Sequence, residues 1–294
     1  MEFRTYGKPD NPTVLLLPAE DTAGDTLYAG LKKLEAHYQL LIPAFLPGES
    51  TERRLEGIEE CLSDHYSGRI WGAYGLDEGA SLLLALLTRQ KVRIRTAVLD
   101  GTVVLPAEPF ADVPTQIVYW YGSRDKAAKK LLKTLRTQYP ELHTLKLKKL
   151  GVGERFWAIR PDLAVKRLRH AFGKAKLLHL TVLLEIHAQT LWTHLTARDH
   201  MAAENLKSPP LISAEDTTHT LLIEGTGKLS KHWSHLIQLE ALEDNLTLVT
   251  HQLELSAGPT AAVSAIKAKS LLKKEHKLWR QLFGPAKRRF FPFW

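Results

Sequence analysis

The feature that most constrains this 294-residue chain is a change in its apolar period near residue 175. Up to about residue 170, short runs rich in Val, Ile and Leu alternate with longer amphipathic stretches. That pattern predicts a parallel sheet covered by helices. Strands are expected at 13–17 (TVLLL), 39–42, 69–72, 96–100, 115–121 and 144–148, with helices at 24–36, 51–65, 79–89, 125–138 and 161–171. Glu2 to Tyr6 also reads as strand. The gap from 101 to 114 holds three prolines and reads as a loop, too short to be a lid over a pocket. Beyond the HAFGKAK segment at 170–176 the period becomes two, predicting strands at His179–Ala188, Thr218–Glu224, Lys231–Glu240 and Thr247–Ser256 and one closing helix from Pro259 to Phe283. The fold class is therefore α/β plus α+β. The expected domains span 1–172 and 176–284, with a basic aromatic tail at 285–294.

Charge and cysteine content narrow the function classes. The formal charge is +8, and residues 267–294 carry nine Lys or Arg against the single acid Glu275, so this segment accounts for all of the excess. A basicity confined to one segment is not a polyanion-binding surface, and no nucleic-acid partner is expected. No apolar run approaches the roughly 20 residues that span a bilayer, and the chain enters a strand at once without a leader. The lone Cys61 lies among Glu59, Glu60 and Asp64, which hold a thiolate back, and it reads as packing in a reducing cytoplasm.

The segment WGAYGLDEGASLLLALL, 71–87, resembles the strand, sharp turn and helix of the nucleophile elbow in the α/β-hydrolase family. The resemblance covers roughly residues 1–170, including TVLLLPAED, HYQLLIPAFLPGES and YGSRD. It implies that Gly75 and Gly79 are the small residues flanking a nucleophile at Asp77, and that Asp125 stands where the acidic triad member follows a strand. Asp125 reads more readily as a helix cap satisfying backbone donors. Relatives that attack with aspartate, the haloalkane dehalogenases and epoxide hydrolases, form an ester that a histidine-activated water then hydrolyses. The loop that should supply this histidine reads KKLGVGERFW and offers only Glu154 and Arg155 between Gly151 and Phe156. Where the family often has His-Gly for an oxyanion, this chain has Pro18, Ala19, Glu20 and Asp21, and carboxylates there would oppose a developing anion.

Residues 176–284 resemble the helix-grip superfamily of START and polyketide-cyclase-like proteins, through LTVLLEIHAQTLWTHLTARDH, HWSHLIQLEAL and NLTLVTHQLELSAGPTAAV followed by the long helix. That resemblance implies a cavity for a small apolar or lipid-like ligand. Strand alternation puts Thr247, Val249, His251, Leu253 and Leu255 on one face and Leu221 with Ile223 on one face of another strand. His251 reads either as a polar anchor or as a packed core histidine. His232 and His235, three apart on a strand, face opposite ways and cannot share an ion, so no metal is expected, nor any cofactor. Val263, Ile266, Leu271, Leu278 and Leu282 are expected to form the apolar side of the closing helix. In the tail, Arg288, Arg289, Phe291 and Trp294 suit either an anionic membrane surface or an acidic protein's groove, or else a fold-back onto apolar surface. Because the histidine is missing, the sequence favours a non-enzymatic binding protein with a pseudo-hydrolase first half. The alternatives are an enzyme using Asp77 as nucleophile and a structural interaction module.

Overall fold

A computed structural model describes every residue except 47, 102, 106–114, 198–210, 226–232, 258–260 and 284–294. The basic aromatic tail, His232 and most of the 101–114 loop lie outside the described residues. The chain divides into Met1–Gly173 and Lys174–Trp294, here units 1 and 2.

Unit 1 runs β1 (Glu2–Tyr6), β2 (Thr13–Leu17), α1 (Gly24–Leu31), a 3-10 turn (Lys32–Ala36), β3 (Gln39–Ala44), α2 (Thr51–Tyr66), β4 (Arg69–Leu76), α3 (Glu78–Arg89), β5 (Arg93–Asp100), β6 (Gln116–Gly122), α4 (Lys126–Gln138), β7 (His143–Leu147), α5 (Phe156–Ile159) and α6 (Pro161–Phe172). Its seven strands lie in the order β1-β3-β2-β4-β5-β6-β7, parallel except for β1. The central strands are apolar along their whole length because both faces are covered. On one face α2, α3 and α4 share a core with Leu15, Ala73, Ala97 and Tyr119. On the other, Phe172 of α6 lies so close to Gly72 of β4 that a Cβ there would stand 2.6 Å from its ring. Cys61 is half-buried on α2, and burial pushes its thiol pKa up, with Asp64 and Glu60 adding to the shift.

Unit 2 comprises β8 (Lys174–Leu184), α7 (Ala188–Ala197), β9 (Leu211–Glu215), β10 (Thr220–Gly225), β11 (Trp233–Glu243), β12 (Leu246–Ala257) and α8 (Ala261–Phe283). Its sheet is antiparallel throughout, ordered β8-β12-β11-β10-β9. Strand β9 has no counterpart among the strands expected from the sequence. Leu191, Trp192 and Leu195 from α7 and Trp279 from α8 pack with Val182, Leu221, Ile223, Ile237 and Val249, while Leu272 of α8 meets Leu253 and Leu255.

The closing helix is rotated from its expected setting. Ile266, Leu271, Leu278 and Leu282 are 70, 62, 42 and 59 % exposed, whereas Ala265, Leu272, His276 and Trp279 are buried. The physical reason is the larger contact area of Trp279, which a count of leucines undervalues. No helix among the described residues is long and apolar enough to cross a membrane.

Candidate functional site

The site in unit 1 grows from the turn between β4 and α3. Asp77 holds φ 48° and ψ −108°, a left-handed conformation that non-glycine residues rarely adopt. The flanking glycines make this turn possible. A Cβ on Gly75 would stand 2.5 Å from the Gly79 carbonyl oxygen, and one on Gly79 would stand 2.3 Å from that of Leu17. Strand, turn and helix thus touch backbone to backbone. The turn is fastened by Asp77 N–H donating to the Asp100 carbonyl at 2.8 Å, and by the N–H groups of Ala80 and Ser81 donating to Asp77's own carbonyl.

Sequence reasoning missed Asp100, a buried acid beside the elbow. It ends β5, in register with Leu76 immediately before the elbow. Its side chain is buried, and Oδ2 accepts from the Tyr74 hydroxyl at 2.6 Å. Burial pushes its pKa up to about 7. The hydrogen bond from Tyr74 partly offsets that rise, and the charge of Asp77 adds to it. Gly101 follows with φ 92°, and a Cβ on it would come within 2.1 Å of Asp77 Oδ1, so the Asp77 carboxyl lies directly over this glycine. Tyr119 steadies the same turn by donating from its hydroxyl to the Gly101 carbonyl at 3.0 Å. The only available signal was a strand ending in Asp beside a strand ending in an elbow, and it needed the pairing register to be seen.

Asp125 serves as the cap of α4, its Oδ1 accepting from Ala128 N–H at 2.9 Å, with its side chain buried. The loop without a histidine has a definite job. Arg155 hydrogen-bonds both Asp21 and Thr22, and the Asp21 carboxyl is held below its usual range by that bond. Glu20 lies 3.9 Å from Arg54. The carboxylates expected to oppose an oxyanion are therefore partly offset by arginines. An open cleft of about 1090 Å³ runs beside the elbow, lined by Pro18, Glu20, Phe45, Arg54, Glu78 and Leu82 among others. Glu78 and Gly79 border it, while the Asp77 carboxyl turns toward Gly101.

In unit 2 the expected ligand-contacting residues are core. Leu221, Ile223, Val249, His251 and Leu253 are 1, 8, 0, 0 and 7 % exposed, and all but His251 belong to the two apolar clusters. His251 Nδ1 is 2.9 Å from His235 Nε2, and its ring lies 4.8 Å from that of His276 and 5.2 Å from that of Trp279. Burial, followed by the neighbouring His235 and His276, lowers its pKa to about 2, so it is a neutral imidazole. No group of three or more metal-ligating side chains occurs among the described residues.

No protein-family model and no curated protein matches the sequence. Solved structures do match, over the N-terminal 57 % or so of the chain. One, from Desulfitobacterium hafniense and described as an α/β hydrolase family protein, is 16 % identical with a TM-score of 0.50, covering 57 % of this chain and 99 % of its own. Others are a carboxylesterase from Nitrososphaera gargenis (9 % identity, 57 and 92 % covered, TM-score 0.48) and an enol-lactonase from Burkholderia xenovorans (13 %, 57 and 95 %, 0.46). Unit 1 thus has the α/β-hydrolase fold, and an entire protein of that kind fits within it. The expectation of a non-enzymatic binding protein is corrected by the match of unit 1 to an α/β-hydrolase structure, which gives it a fold shared with hydrolases. The expectation rested on the missing histidine and did not weigh Asp100, a buried acid in register beside the elbow.

Proposed function

We propose that unit 1 is a hydrolase whose nucleophile is Asp77. The observation that carries this reading is the left-handed turn at Asp77, closed by two glycines that leave no room for a side chain. Strain of this kind costs on the order of 1–3 kcal/mol and persists where the surroundings enforce it. A carboxylate nucleophile suits electrophiles at saturated carbon, such as haloalkanes and epoxides. Attack on a carboxylic ester would instead give an anhydride and expel an alkoxide far more basic than the carboxylate, so reversal would win. The first-turn N–H groups of α3 lie at the positive end of the helix, where charge arising on the Asp77 carboxyl is stabilised.

The test is turnover of a haloalkane and epoxide panel, together with intact-protein mass. Wild type should turn over at least one substrate, and Asp77→Ala should abolish it. An absence of both turnover and adduct across the panel refutes the reading. Unit 2 we read as a helix-grip fold, a view supported by its antiparallel sheet and 23-residue closing helix. A cytoplasmic location suits the lone thiol.

A further inference from the structure

We infer that Asp100 is the proton acceptor that activates water against the ester formed on Asp77, with Tyr74 as its positioning residue. The inference rests on Asp77 being the nucleophile. Asp100 ends the strand next to the elbow, and its backbone carbonyl holds the Asp77 N–H at 2.8 Å. The Asp77 carboxyl lies over Gly101, the residue that directly follows Asp100. The two acids are therefore held near one another by the sheet register and by the backbone hydrogen bond between them. Tyr74 donates to Asp100 Oδ2 at 2.6 Å and so fixes the carboxyl in this position.

The charged and titratable groups around this pair are Tyr74 on β4, Asp77 in the turn after it, Tyr119 and Tyr121 on β6, Asp125 ahead of α4 and Arg155 ahead of α5. This arrangement times the chemistry. While Asp77 is a carboxylate, its charge favours a protonated Asp100. Once Asp77 becomes a neutral ester that opposition ends, and Asp100 releases its proton to solvent, taking one back from solvent when the Asp77 carboxylate is regenerated.

In the first step an Asp77 oxygen bonds to the substrate carbon, and the leaving group departs with the bonding pair. In the second, water oxygen bonds to Asp77 Cγ while one of its protons passes to Asp100. The Cγ–O bond to the alkyl group then breaks, and the departing oxygen takes that proton from Asp100 to give the alcohol. The remaining water proton leaves Asp77 for solvent, so a halide substrate yields alcohol, halide and one proton.

The experiment compares wild type with Asp100→Asn on a haloalkane the wild type turns over. Asp100→Asn should still form one equivalent of alkyl ester on Asp77, located by peptide mass, while steady turnover falls at least ~100-fold, as expected for loss of a general base. In oxygen-18 water, a wild-type single turnover should place the label in the Asp77 carboxyl. Tyr74→Phe removes a bond that favours the ionised form of Asp100, so the acidic limb of its pH–rate profile should move to higher pH. Turnover by Asp100→Asn within threefold of wild type overturns the assignment, as does loss of adduct formation in that variant alone. Absence of adduct and label in wild type would instead sink the Asp77 reading beneath it. Should Asp100→Asn not fold, an unmoved limb in Tyr74→Phe overturns the proposal.

Discussion

Asp100 in unit 1 and His251 in unit 2 are both buried ionisable side chains, and burial drives both toward their neutral forms with opposite numerical results. Asp100 in unit 1 is raised to about 7, while His251 in unit 2 is lowered to about 2. The same desolvation thus carries a carboxyl into the neutral range and an imidazole out of it. Their surroundings differ as well. Asp100 lies beside a strained turn with a cleft at its border, whereas His251 is stacked among His235, His276 and Trp279 within a packed core. The imidazole is thus held neutral by burial across the ordinary pH range, while the carboxyl is brought to titrate near neutrality.

The largest effect that would break this comparison is expected at Asp100. Its folded pKa stands above the ordinary 3.8, so its contribution to stability is complete below pH 3.8 and is lost as pH rises toward 7. Over about three pKa units this amounts to roughly 4 kcal/mol. Asp100→Asn should therefore stabilise unit 1 by up to about 4 kcal/mol at pH 8 and by little at pH 3.5. Denaturant melts at the two pH values, with hydrogen exchange resolving each unit, would check it. Equal effects at both pH values would mean that Asp100 is not held neutral.

The mirror experiment concerns His251 and runs the opposite way. Its folded pKa is depressed below 6.5, so its stabilisation is present above pH 6.5 and is lost as pH falls toward 2. From pH 6.5 to 4.5 unit 2 should lose about 2.3 kcal/mol through this residue alone. His251→Gln, which can still bond His235, should flatten that acid limb. The smallest effect is expected at the elbow itself. Asp77→Gly relieves the positive φ and should raise the stability of unit 1 by about 1 kcal/mol while removing its chemistry. A loss of stability in that variant would show that the Asp77 carboxyl contributes more than its backbone costs.

Much of unit 1 was legible because alternating apolar runs and amphipathic stretches are local signals. The strands at TVLLL and TQIVYWY and the Gly75–Asp77–Gly79 turn appear where their sequences place them. Asp125 was legible too, as a cap preceding a helix. Asp100 was not, because its meaning comes from partners 23 and 26 residues away, Asp77 and Tyr74, brought together only by parallel register. In unit 2 the strand faces of Val249, Leu253 and Leu221 were readable from period two. What fills the space beyond them was not, since it depends on the rotation of α8 and on where Trp279 lands.

The solitary thiol gives these comparisons a built-in reporter. Cys61 is the chain's one cysteine, half-buried on α2 against the core of unit 1 and disfavoured as a thiolate. Alkylating reagents reach such a group chiefly through opening of its surroundings, so labelling kinetics follow local or global unfolding of that half. Unit 2 has no thiol to contribute a background. A single mass shift of the whole chain, followed in time, therefore registers the opening of unit 1 selectively, without an introduced label or a dissected domain.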